Sequence, residues 1–182
     1  MKIHFHQSTL TYPAAESVLA EVSAALNEAA VHIFPAYFLW GLDPGELVRD
    51  PDAQQSYHHL AKQLSDLAAQ ANLNLAASAS PALIIAPGVN VRGEAEFLCL
   101  TEGQGGRWVT GPSALSTLLS KVLGRKTLCA YGAEPFLEEA AIYLRWPTQP
   151  CSILRPNLPP ADFKGAYFSL SPVGWSYAQQ WQ

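Results

Sequence analysis

Few residues in this chain can do covalent or acid–base chemistry, and they are scattered. Cys129 sits in a short apolar run, Lys126 to Ala130, followed by Tyr131, Gly132 and Glu134. A thiol attacks a carbonyl or nitrile carbon efficiently only when a base or a lowered pKa makes it a thiolate. With no base visible beside it, Cys129 reads first as a small buried hydrophobe at a strand end, and second as a nucleophile. His4 and His6 share one face of a strand, and His32 falls on a probable neighbour strand. Imidazoles two residues apart can ligate zinc. No Cys or carboxylate is spaced with them, so satisfied histidines are expected and no metal site is. His58 and His59 point about 100° apart on a helix and cannot readily share a ligand. Glu134, Glu138 and Glu139 cluster where a helix is expected to start, and carboxylates there complement the helix dipole. Gly103-Gln104-Gly105-Gly106 reads as a hairpin turn rather than an anion loop. No GxGxxG and no GxxxxGK[ST] occurs, so nothing calls for a nucleotide cofactor, and no cofactor is expected.

The elements that would position these residues alternate between strand and helix. Lys2 to Gln7 has period two, with Ile3 and Phe5 on one face and His4 and His6 on the other. Ala14 to Ala30 carries Val18, Leu19, Val22, Ala25, Leu26 and Ala29 at helical spacing. Val31 to Phe34 is a short apolar strand stopped by Pro35, and Asp43-Pro44-Gly45 is turn chemistry. A second helix spans about Asp52 to Ala71, with Leu60, Leu64, Leu67 and Ala68 on one face. Leu73 to Ala77, Ala82 to Ile85, Glu94 to Thr101 and Arg107 to Val109 read as strands. Ser113 is a candidate N-cap for a helix with Leu115, Leu118, Leu119, Val122 and Leu123 on its stripe, ended by Gly124. Lys126 to Ala130 is a strand, Pro135 to Leu144 a helix, and Ser152 to Leu154 a strand. The pattern is that of an α/β protein with a mixed sheet, because some strands follow one another without a helix between them. A domain over residues 1–155 is expected, followed by a Pro- and aromatic-rich extension over 156–182 that packs on the domain or on a partner.

Composition narrows the function classes. The 182 residues are 49% hydrophobic and only 14% charged, with a net charge of −4. That excludes a disordered chain and lacks the basic field of a nucleic-acid binder. No run reaches the ~18 apolar residues of a membrane span, and the start does not resemble a signal peptide. Three cysteines, Cys99, Cys129 and Cys151, are too sparse for a disulfide scaffold. A cytoplasmic protein is therefore expected. The low charge, together with Tyr167, Phe168, Trp175, Tyr177 and Trp181 near the C-terminus, suggests that some surface is covered by a second copy or another protein.

Two stretches resemble the nitrilase, or carbon–nitrogen hydrolase, superfamily. His32 to Leu47 (HIFPAYFLWGLDPGEL) follows the family's apolar strand, Phe-Pro-Glu, and aromatic-flanked Gly. Its Pro44 to Leu47 is similar to a step in the glutaminase domain of NAD synthetase. Leu128 to Pro135 (LCAYGAEP) is similar to the family's strand-end Cys with a Phe-Pro pair five residues on. The resemblance implies a layered α-β-β-α sandwich, here in shortened form. It also implies a pocket near Tyr37, Trp40, Arg107, Tyr131 and Glu134, with Cys129 in the nucleophile's place.

Family catalysis uses a Cys nucleophile, a Glu base and a Lys for the tetrahedral oxyanion. Here the Glu position is Ala36, and no Lys lies near Arg107 to Gly111. Arg107 is the nearby cation, and a guanidinium does not replace an ammonium without changed geometry. The resemblance therefore implies a degenerate member that has lost amidase catalysis and acts in binding, regulation or assembly, with a small-molecule ligand in the old pocket as one form of this. The alternative is a thiol-dependent carbon–nitrogen hydrolase that uses Cys129 and a base from elsewhere, such as Glu134 or a histidine.

Overall fold

A computed structural model describes residues 1–6, 15–36, 38–39, 48–71, 81–132, 139–146 and 165–170, and the backbone of 176–180. The expected strands at Leu73 to Ala77 and Ser152 to Leu154 lie outside these residues, as do Tyr37, Trp40 and Glu134.

Nine strands form two sheets among the described residues. The first sheet contains β1 (Ile3–Phe5), β2 (Val31–Ile33), β3 (Leu83–Val89), β4 (Ala95–Thr101) and β5 (Gly105–Thr110), in that spatial order. β1, β2 and β3 are parallel, and the β3–β4–β5 meander is antiparallel. The second sheet runs β6 (Thr127–Tyr131), β7 (Ile142–Trp146), β8 (Ala166–Leu170) and β9 (Ser176–Gln180). Its first three strands are parallel and β9 is antiparallel. Both sheets are thus mixed.

Side-chain alternation decides what each face meets. On β4, Phe97 and Cys99 face the second sheet, where Phe97 packs 5.0 Å from Trp146. Glu96, Leu98 and Leu100 face the helix α2 (Pro51–Gln70) instead, where the Tyr57 hydroxyl donates to Glu96 Oε1 at 3.0 Å. On β1, Phe5 stacks on Phe168 of β8 at 4.1 Å, while His4 and His6 face the other way. Every residue of β3 is buried, as expected of a strand covered on both faces.

The helix α1 (Ala15–Leu26) buries Val18, Val22, Ala25 and Leu26, four of the positions its periodicity marked. α2 starts one residue early, because Asp50 caps it by accepting from the Asp52 amide at 2.9 Å and Pro51 opens its first turn. β3 continues past Ile85 through Pro87 and Gly88. Pro87 is tolerated because β2 ends opposite Ile85, so no ladder bond on that side is lost. Gly88 is required because a Cβ there would overlap the Tyr57 hydroxyl.

Two expectations are corrected. Ser113 does not cap the helix α3 (Pro112–Leu123). Gly111 stands at the cap with φ 79° and no side-chain bond, because Pro112 takes the first helical position. Gly124, in the left-handed region, does end that helix. The expected helix over Pro135 to Leu144 is not present in its described part: Ile142 to Trp146 is strand β7. Ile142, Tyr143 and Trp146 favour an extended chain, and β7 lies between β6 and β8, where a ladder on both sides overrides helical spacing. β8 and β9 supply strands for which the sequence carried no assignment.

Candidate functional site

Cys129 occupies the middle of β6, paired with Leu144 of β7. By alternation Thr127, Cys129 and Tyr131 face the first sheet, and the Tyr131 ring meets Phe97 edge-on at 6.3 Å. Cys129 is 9% exposed and belongs to the main apolar core with Cys99, Phe97 and Trp146. Burial pushes its thiol up to about 12; the interaction with the Ser116 hydroxyl opposes this rise, and the neighbouring Cys99 adds to it. Among the described residues, no carboxylate, imidazole or cation contributes. A thiol in this state is almost wholly protonated at neutral pH and is a poor nucleophile.

The backbone around Cys129 is held from the edge. β6 is the first strand of its sheet, so one row of its backbone groups has no strand partner. α3 lies along that row. The Cys129 amide donates to Ser116 Oγ at 2.8 Å, and the Thr127 amide donates to Ser120 Oγ at 2.9 Å. Ser120 Oγ in turn donates to the Thr127 carbonyl at 3.1 Å. Four helical residues rise ~6 Å and two strand residues ~6.6 Å, so serines one turn apart match alternate amides of β6. The same helix sends Leu115 and Leu119 into the core.

Ala36, which the sequence resemblance sets at the family's Glu position, is 2% exposed and in the core. The chain on either side of Pro35 is tied to the second sheet: the Trp146 Nε1–H donates to the Phe34 carbonyl at 3.0 Å, and the Ala36 amide donates to the Leu170 carbonyl at 3.2 Å. Phe34 and Phe38 stack at 4.0 Å beside these bonds.

Arg107 stands opposite Cys99 on the edge strand β5, with its side chain exposed. Its charge acts on Cys99, whose thiol burial nonetheless pushes up to about 12. Tyr131 is brought to the core face beside Phe97. Tyr37, Trp40 and Glu134 lie outside the described residues. No group of three or more His, Cys, Asp or Glu that would hold a metal occurs among the described residues.

One polar pair escaped the sequence reading. Tyr57 is almost fully buried and donates to Glu96, whose carboxyl burial pushes up, against the opposing effects of the Tyr57 hydrogen bond and His58. The signal was available: Tyr57 lies on the Leu60–Leu64 stripe of α2, and Glu96 alternates in step with Leu98 and Leu100. Glu96 lies on the α2 face of β4, and the Tyr57 hydroxyl is also within electrostatic reach of Tyr131.

The structure resembles solved amidases of the nitrilase superfamily. A cysteine-to-alanine mutant of the Nesterenkonia AN1 amidase matches with a TM-score of 0.55 at 13% identity, over 100% of this chain and 87% of that one. A glutamate-to-glutamine mutant of the same enzyme, carrying the product of Michael addition of acrylamide at its active-site cysteine, matches with a TM-score of 0.58 at 12% identity. That match covers 99% of this chain and 89% of the other. No known protein-family model matches the sequence, and no curated protein does. The chain shares the fold of these amidases, with two facing mixed sheets and flanking helices. No helix among the described residues is long and apolar enough to cross a membrane.

Proposed function

We propose that this chain is a nitrilase-fold domain without amidase catalysis, acting in binding, regulation or assembly. The observation that carries the reading is the state of Cys129: buried in the apolar core that also holds Cys99, Phe97 and Trp146, and raised to about 12 with no base among the described residues acting on it. Ala36 adds a second argument, since a buried methyl group accepts no proton. General acid–base help contributes ~10²–10⁴-fold to such reactions and one oxyanion donor ~10²–10³-fold; the loss of both removes most useful turnover. A role in contacts is supported by the low charge of the chain and by β5, an edge strand on which Gly106, Arg107 and Thr110 are exposed and Trp108 is 37% exposed. A second copy of the chain is the simplest partner for such an edge.

One purified sample tests both halves. Ammonia release from a panel of small amides and nitriles is expected not to exceed that of Cys129→Ala. Sedimentation velocity at micromolar concentration is expected to show a dimer. Cys129-dependent ammonia release would overturn the first half, and a monomer at all concentrations would remove the second copy.

A further inference from the structure

We propose that His4, His6 and His32, with Glu28, form a proton-operated latch that holds the edge strand β1 on the first sheet and releases it in mild acid.

The geometry is a chain of hydrogen bonds across the α1 face of β1 and β2. His32 is 1% exposed. Its Nε2 lies 3.0 Å from the Glu28 carbonyl oxygen, which can only accept, so Nε2 carries the proton. In the neutral ring Nδ1 is then the acceptor, and His6 Nε2 lies 2.9 Å from it. His6 therefore donates from Nε2. His4, in register with His32, places its Nε2 3.2 Å from Glu28 Oε1. The three rings lie close together, at centroid distances of 5.3 Å (His4–His32) and 5.2 Å (His6–His32), and His6 stacks on Phe34 at 4.2 Å. One network thus joins β1, β2 and the turn after α1.

The network tolerates few protons. The His6–His32 pair holds one N–H between two nitrogens. A proton added to His32 Nδ1 would face the His6 N–H directly, and one added to His6 would sit beside two other imidazoles. The groups facing His6 among the described residues are His4 on its own strand, His32 on β2 and the Glu28 carboxylate. Glu28 alone favours the charged form. Burial, then His32 and His4, push the His6 ring down from 6.5 to about 4, against the opposing pull of Glu28.

β1 is three residues long, half-buried, and pairs with β2 alone among the described residues, so it can detach without opening the rest of the sheet. A ring that must stay neutral when β1 is docked, and that protonates near 6.5 when it is free, favours the detached form as pH falls from 6.5 towards 4. Above that window the latch is closed.

The test is amide hydrogen exchange of the full chain between pH 7 and 5, corrected for the intrinsic rate. The readout is two amides at the β1–β2 junction: His6 N, which donates to Ile33 O at 2.9 Å, and Val31 N, which donates to Lys2 O at 2.9 Å. Protection at both is expected to fall roughly tenfold or more, while the β3–β4 amides keep theirs. In His6→Gln, whose amide still donates but does not titrate, the fall is expected to disappear. Equal pH dependence in β1 and β3–β4, or an undiminished fall in His6→Gln, would overturn the proposal. Should that variant fail to fold, ring ¹⁵N shifts of the natural chain decide. A neutral Nε2–H tautomer of His6 at pH 6 supports the latch, and ordinary titration near 6.5 contradicts it.

Discussion

Trp146 shows how single side chains close the interior of this fold. It fills the space between the sheets against Phe97 and donates its indole N–H to the Phe34 carbonyl. The carbonyl precedes Pro35 and Ala36. Trp146→Phe keeps most of the volume but leaves that carbonyl without its donor. The expected cost is about 1–3 kcal/mol, read as a lower urea midpoint with an unchanged slope. No loss would mean that the bond carries little. At this scale Ala36, Arg107 and Cys129 were singled out from the sequence, through residue types and the resemblance. The Tyr57–Glu96 pair and the His6–His32 bond were not, because each depends on which two elements meet, and periodicity marks faces without naming partners.

Between elements, the important contact is α3 against the open edge of β6. Ser116 and Ser120 close two backbone positions that an unpaired edge would leave to solvent or to another chain. Ser116→Ala and Ser120→Ala are each expected to cost about 1 kcal/mol. Together they should weaken stability further and raise amide exchange at Thr127 and Cys129 more than at Leu144. Uniform exchange would mean that β6 is held by its core contacts alone. The helices α1, α2 and α3 were legible because their apolar stripes and end signals agree. The cap of α3 moved to Gly111 because Pro112 outranks Ser113 for the first turn. β7 was misread because Leu144 and the alanines before it also fit a helical stripe. Only pairing with β6 on one side and β8 on the other decides for strand.

Across the described residues, two mixed sheets face each other and share a main core, with a smaller cluster of Ala130, Tyr143 and Tyr167 apart from it. The class and layering were legible from the alternation of strand and helix together with the resemblance at Phe34-Pro35 and Cys129. The second sheet was legible only in its first strand, since β8 and β9 follow a stretch rich in Pro and aromatic residues with no clear period. In the proposed function, this core has closed over the Cys129 thiol. The most direct measurement is intact-mass labelling with iodoacetamide across pH 6–9, with Cys129→Ser as the control. A thiol pushed up to about 12 by burial predicts negligible modification of Cys129 until the chain is unfolded, at rates far below those of a free thiol of pKa about 8.5. Rapid, selective labelling of Cys129 in the folded chain near pH 7 would contradict the account and restore an activated nucleophile.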